Sequence, residues 1–140
     1  MMKRLLAVLL VGCMVVGGCG VIMNSEQSAR LDVNATWAAV KAAETLTPEE
    51  ALAAIQDNAV WWKAFKDAKG PWIGVSDVWL NAEYSMRLDE CVAWANDMAR
   101  RGAAGEFSPD DLKRVLANHA TLWRLFREAR DGIAPAEEGV

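Results

Sequence analysis

TPEEALAAIQDNAVWWKAFKDAKG, residues 47–70, decides the fold, because it returns sixty-one positions later as SPDDLKRVLANHATLWRLFREARD, residues 108–131. Each copy opens with the chemistry of a helix start. Thr47 or Ser108 stands at the N-cap, Pro48 or Pro109 at the first helical position, and Glu50 or Asp111 where a carboxylate answers the cap. The acidic pairs Glu49/Glu50 and Asp110/Asp111 face the positive end of the helix dipole. Outside each cap an apolar residue, Leu46 or Phe107, is placed to staple onto Ala51 or Leu112.

With the starts aligned, Pro48/Pro109, Ala59/Ala120, Trp62/Trp123, Phe65/Phe126 and Ala68/Ala129 are identical, and three basic pairs are conserved in charge. True duplication and convergence on a generic amphipathic helix both produce such a pattern. Either way, two similar helices are expected at similar places in two helical hairpins.

Working outward, a first helix over residues 25–44 is predicted, with Ala29, Val33, Trp37, Val40 and Ala43 on its buried side. The first copy of the repeat buries Leu52, Ile55, Ala59, Trp62, Phe65 and Ala68 and stops at Gly70-Pro71. A third helix is predicted from Ser76 and Asp77 to Arg101, with a seam of Leu80, Tyr84, Leu88, Cys91, Ala95 and Met98, closed by Gly102. The fourth carries the cleanest seam: Leu112, Val115, Leu116, Leu122, Trp123 and Phe126. No stretch alternates as a strand does. The expected fold is all-α, a small antiparallel four-helix bundle over residues 25–132 or, as the second choice, two stacked repeated hairpins, with 133–140 a loose tail.

The N-terminus reads differently. Lys3 and Arg4 make a basic head, residues 5–16 are an apolar run, and Gly17 and Gly18 stand before Cys19. That is the layout of an export signal with a processing site. A bilayer span needs about 20 apolar residues, so the run is short for one. Val16-Gly17-Gly18-Cys19 resembles the lipobox of bacterial lipoproteins. The resemblance covers only the first twenty residues and leaves the globular part unassigned. It implies a signal peptide over 1–18, a diacylglyceryl group and a further acyl chain such as palmitate on Cys19, and a short tether over 19–24. It further implies a body outside the cytoplasm, at the outer membrane's periplasmic face where the organism has one, since Gly20 is not the aspartate that retains enteric lipoproteins at the inner membrane. Cys13 is a weaker rival site, and an uncleaved helix running through Val21-Ile22-Met23 is the rival to cleavage.

Loss of Lys3 and Arg4 moves the net charge from -4 to about -6, a field that repels nucleic acid and anionic headgroups. No nucleic-acid partner is expected. With Cys19 acylated and Cys13 discarded, Cys91 has no intramolecular disulfide partner and its seam position predicts a buried thiol.

Polar residues on apolar seams are the candidates for function. Asn58 and His119 share one repeat position, and Arg87 lies one turn from both Tyr84 and Cys91, with Glu83 or Glu90 available to it. A buried polar layer fixing helix register is the plainer reading, a ligand or catalytic site the sharper one. No HExxH, CxxC, glycine-rich phosphate loop or nucleophile elbow is present. His119 with Met98 as haem ligands lacks the CxxCH attachment motif, and no metal or cofactor is expected. Of seven tryptophans, Trp37, Trp62, Trp94 and Trp123 are placed for the core, while Trp61, Trp72 and Trp79 are the candidates for a binding surface. The expectation is a non-catalytic, membrane-anchored envelope protein with a helical interaction or structural domain and an envelope protein as partner. The alternative is a small envelope enzyme or ligand-binding bundle using Arg87 and His119.

Overall fold

A computed structural model describes residues 23–68 and 82–132. They form four helices, α1 (Ser25–Ala43), α2 (Pro48–Asp67), α3 (Ala82–Ala103) and α4 (Pro109–Asp131), with no strand among the described residues. The fold is an all-α bundle running up, down, up, down.

Both repeat helices start as their caps dictate. Thr47 Oγ1 accepts from Glu50 N while Thr47 N donates to the Glu50 carboxylate, and Ser108 and Asp111 repeat the exchange. The cap bonds hold the Glu50 and Asp111 carboxyls below their ordinary range. Leu46 and Phe107 pack where the staple requires, against the cluster that contains Ala51 and Leu112. At the far end α4 closes on Gly132, whose φ of 74° lies in the left-handed region that glycine enters without strain.

The parallel course of α2 and α4 follows from the clusters they share. Ala51, Ala54 and Ile55 pack with Leu112, Val115 and Leu116, while Trp62 and Phe65 pack with Trp123 and Phe126. These are the repeat positions meeting their own counterparts. On either side of this central pair, α1 packs mainly on α4 and α3 mainly on α2, and the backbones of α1 and α3 stay apart. Exchanging the two hairpins therefore maps the contacts onto one another, as a two-fold axis along the bundle would require. The relation extends to α1 and α3 at an offset of sixty: Gln27, Leu31, Ala35 and Ala38 are buried, and so are Arg87, Cys91, Ala95 and Met98.

Helix α1 differs from its expected packing. Its buried residues are Gln27, Leu31, Asn34, Ala35 and Ala38, whereas Ala29, Val33, Val40 and Ala43 are exposed and Trp37 is half-buried. Two polar contacts turn the helix this way. Gln27 Nε2 donates to Phe65 O at 3.0 Å, and the Asn24 side chain donates to Ala68 O at 2.7 Å, so α1 satisfies carbonyls at the C-terminal end of α2. From the other side Arg130 reaches Ser28 O at 3.1 Å, Ser28 Oγ at 3.0 Å and the Asp32 carboxylate at 2.8 Å, tying α4 to the same turn. The buried alanines let the backbone of α1 approach the aromatic core closely.

Gly102 also departs from expectation, since it lies inside α3 and the left-handed residue beyond the helix is Gly105, φ 76°. Its lack of a side chain serves packing: a Cβ there would stand 2.7 Å from Leu52 Cδ1. The seams expected on α3 and α4 are buried at every described position, whereas Leu52 and Ala68 on α2 are only half-buried. The expected third-helix start at Ser76, the seam residue Leu80 and the tail 133–140 lie outside the described residues.

Candidate functional site

Four side chains at two repeat positions meet in the centre of the bundle. The indoles of Trp62 and Trp123, both fully buried, stack with centroids 3.6 Å apart and planes 6° from parallel. Each points back toward its own N-terminus, as helical side chains do, and so reaches the turn below on the opposite helix. Trp62 Nε1 donates to His119 Nδ1 at 3.1 Å, and Trp123 Nε1 donates to Asn58 Oδ1 at 2.9 Å. The two bonds are reciprocal between the copies. Asn58 and His119 thus share one job, to accept an indole N–H that would otherwise be buried without a partner. Phe65 and Phe126 complete the layer edge-on to the opposite indoles, each 5.4 Å centroid to centroid.

This geometry fixes the state of His119. Indole only donates, so Nδ1 carries the lone pair and Nε2 the proton. Burial disfavours the imidazolium and holds the pKa down to about 3. The ring lies 4.6 Å from Trp94, and no described residue accepts from Nε2. A neutral, sealed imidazole does not shuttle protons with solvent. Asn58 has its second bond supplied locally, from Nδ2 to Ala54 O at 3.0 Å.

Arg87 is buried on α3, with Nη1 2.6 Å from the half-exposed Glu90 carboxylate. Among the described residues its Nε has no hydrogen-bond partner, and neither has the Tyr84 hydroxyl, whose ring stands edge-on to Phe126. Among the described residues no hydrogen bond joins Arg87 to Asn58 or His119, so the polar core is a linked pair of indole acceptors and a separate ion pair. The Glu83 side chain lies outside the described residues. Burial pushes the Cys91 thiol up and keeps it unreactive.

The Arg87 pair invites a direct test. A buried guanidinium that is incompletely bonded adds little or nothing to stability relative to an apolar side chain of similar volume. Arg87→Met should therefore change the unfolding free energy by less than about 1 kcal/mol or raise it, whereas Glu90→Ala, which strands the charge, should cost about 1–3 kcal/mol. Urea titrations of the two variants check the order. A large loss from Arg87→Met would show that the guanidinium supports the fold.

Of the tryptophans expected at a binding surface, Trp61 is half-buried and meets Trp37 edge-on, centroids 4.3 Å apart. Trp72 and Trp79 lie outside the described residues, as does Cys19. Trp94 is half-buried against His119 rather than enclosed. On α1 two residues that periodicity assigns to the core are exposed, Val33 at 64% and Val40 at 50%, while Val60 of α2, 66% exposed, lines a cleft with Asn96 of α3. Ala29, Arg30, Val33, Asn34, Trp61 and Ala64 line an open groove of about 350 Å³ between α1 and α2. Three clefts lined by described residues contain neither Arg87 nor His119. Among the described residues no group of His, Cys, Asp and Glu is placed to hold a metal, and no helix is long and apolar enough to cross a membrane.

No protein-family model matches this chain, and neither a curated protein nor a solved structure is significantly similar to it.

Proposed function

We propose that this chain is a bacterial cell-envelope protein anchored to a membrane by acyl groups on Cys19, and that its helical domain is an interaction or structural module rather than a catalyst. The observation that carries the reading is the run from Lys3 to Cys19: basic head, short apolar stretch, then Val16-Gly17-Gly18 before the cysteine. Two or more acyl chains on one residue hold a domain firmly at a bilayer, so the body needs no spanning helix of its own. The polar groups of the core support the non-catalytic half. Asn58 and His119 are committed to indole N–H groups, and Arg87 and His119 are each at most 1% exposed, so a substrate has no approach to them. The apolar surface around Trp61 is where contact with another component is available.

Cys19→Ser should abolish incorporation of labelled palmitate and leave the precursor unprocessed in cells fed the label. Continued labelling of the serine variant would contradict the assignment, and labelling lost only in Cys13→Ser would move the anchor there.

A further inference from the structure

The two-fold relation supplies an internal comparison for the surface of α1. At the offset of sixty, Ala29, Val33, Trp37 and Val40 correspond to Asp89, Ala93, Asp97 and Arg100 on α3. These positions occupy the same place in the fold, and all eight are exposed or half-exposed. Helix α3 carries three charged residues and an alanine there. Helix α1 instead carries an apolar stripe, and Trp61 of α2 extends it where it meets Trp37.

The occupant of that stripe follows from where α1 begins. Met23 packs against the core, and only three residues separate it from Cys19. The four Cα-to-Cα steps between them reach at most about 14 Å, so an acyl-anchored Cys19 holds the first turn of α1 close to the lipid headgroups. A helix so tethered can lie along the surface, and the 19 residues of α1 extend about 28 Å. The residues beside the stripe suit that placement. Arg30 lines the groove, and Lys41 Nζ sits 5.8 Å from the Trp37 ring centre. Each now pairs with an exposed acid on its own helix segment, Glu26 or Glu44. Such solvent-exposed pairs are weak and exchange readily for phosphate. Tryptophan is favoured at the headgroup level, where its ring is half apolar and its N–H stays wet.

We infer that the face of α1 and α2 formed by Val33, Trp37, Val40 and Trp61 rests on the lipid bilayer that anchors the chain, with α1 lying along the surface. This rests on the anchoring of Cys19 proposed above. The body is acidic, so apolar contact rather than attraction to anionic lipid drives it, and a zwitterionic bilayer suffices.

The test uses the full chain, processed in cells and reconstituted in phosphatidylcholine vesicles, with a nitroxide placed by Val33→Cys, Val40→Cys or, as the two-fold control, Ala93→Cys. All three sites are exposed, Cys91 is buried, and circular dichroism checks that each variant is folded. At Val33→Cys and Val40→Cys the label should relax several-fold faster with dissolved oxygen than with a water-soluble nickel chelate, and at Ala93→Cys the order should reverse. Water-like relaxation at all three sites would overturn the proposal and leave this face free for a protein partner. The mass spectrum of the same sample reads acylation of Cys19 independently. An unacylated Cys19 would overturn the anchor itself, whereas water-like labels on an acylated chain would overturn only the orientation.

Discussion

Lowering the pH from 7 to 5 should cost the folded chain about 2 kcal/mol, and His119→Asn should remove most of that loss. The cause is one imidazole. In the unfolded chain His119 takes up a proton near its ordinary value of 6.5, whereas burial holds the folded value down to about 3. Between those values the unfolded state binds more protons, so stability is complete above about pH 6.5 and falls by about 1.4 kcal/mol per unit as the pH drops toward the folded value. The capping carboxylates Glu50 and Asp111 act in a lower window, because their folded values are depressed and their contribution is lost only as the pH falls through them. Comparing pH 7 with pH 5 isolates the histidine. Asparagine already does this work at the equivalent position, accepting from Trp123 and donating one turn back to Ala54 O. It should accept from Trp62 in the same way, whereas His119→Ala would strand the indole N–H at a cost of about 1–3 kcal/mol. Denaturant midpoints for wild type and His119→Asn at both pH values decide this. Equal pH dependence in the two would assign the acid sensitivity elsewhere.

Trp62→Ala and Trp123→Ala should each cost about 3–5 kcal/mol, a large fraction of the roughly 5–15 kcal/mol that holds a domain together. Each removes a fully buried indole, one face of a stack, an edge-on contact with the opposite copy's phenylalanine and the donor to a buried acceptor on the opposite helix. Because the rings lie on each other, the double variant should lose less than the sum of the singles. Additive losses would mean that the two rings are independent. Trp61→Ala provides the contrast: that side chain is half-buried and its neighbour Trp37 reaches solvent, so the loss should be smaller.

The parts of this fold visible in the sequence are those set by local chemistry. The two capping boxes and the apolar seams of α3 and α4 are written in contiguous residues, and the structure follows them wherever they are described. The alignment of Trp62 with Trp123 and of Asn58 with His119 is visible too. That each indole bonds to the other copy's polar residue is not, because it depends on α2 and α4 lying parallel in contact. Helix α1 misleads for a physical reason. Periodicity weighs apolar residues toward the core, but here Gln27 and Asn34 go inside while Val33 and Val40 stay out. The Gln27 amide is buried because it completes the carbonyl of Phe65, a partner 38 residues away. The kinship of α1 with α3 is hidden as well, since the α3–α4 connection is one residue longer and only Ala35/Ala95 is identical among the buried pairs quoted. Gly102 reads as a stop and proves to be a close approach to Leu52.

The intact mass of the protein extracted from bacterial membranes tests the central claim most directly. The account predicts a chain that begins at Cys19 and carries a diacylglyceryl group with a further acyl chain. A mass that corresponds to Met1 as the first residue, or to a chain beginning at Cys19 without lipid, would contradict it.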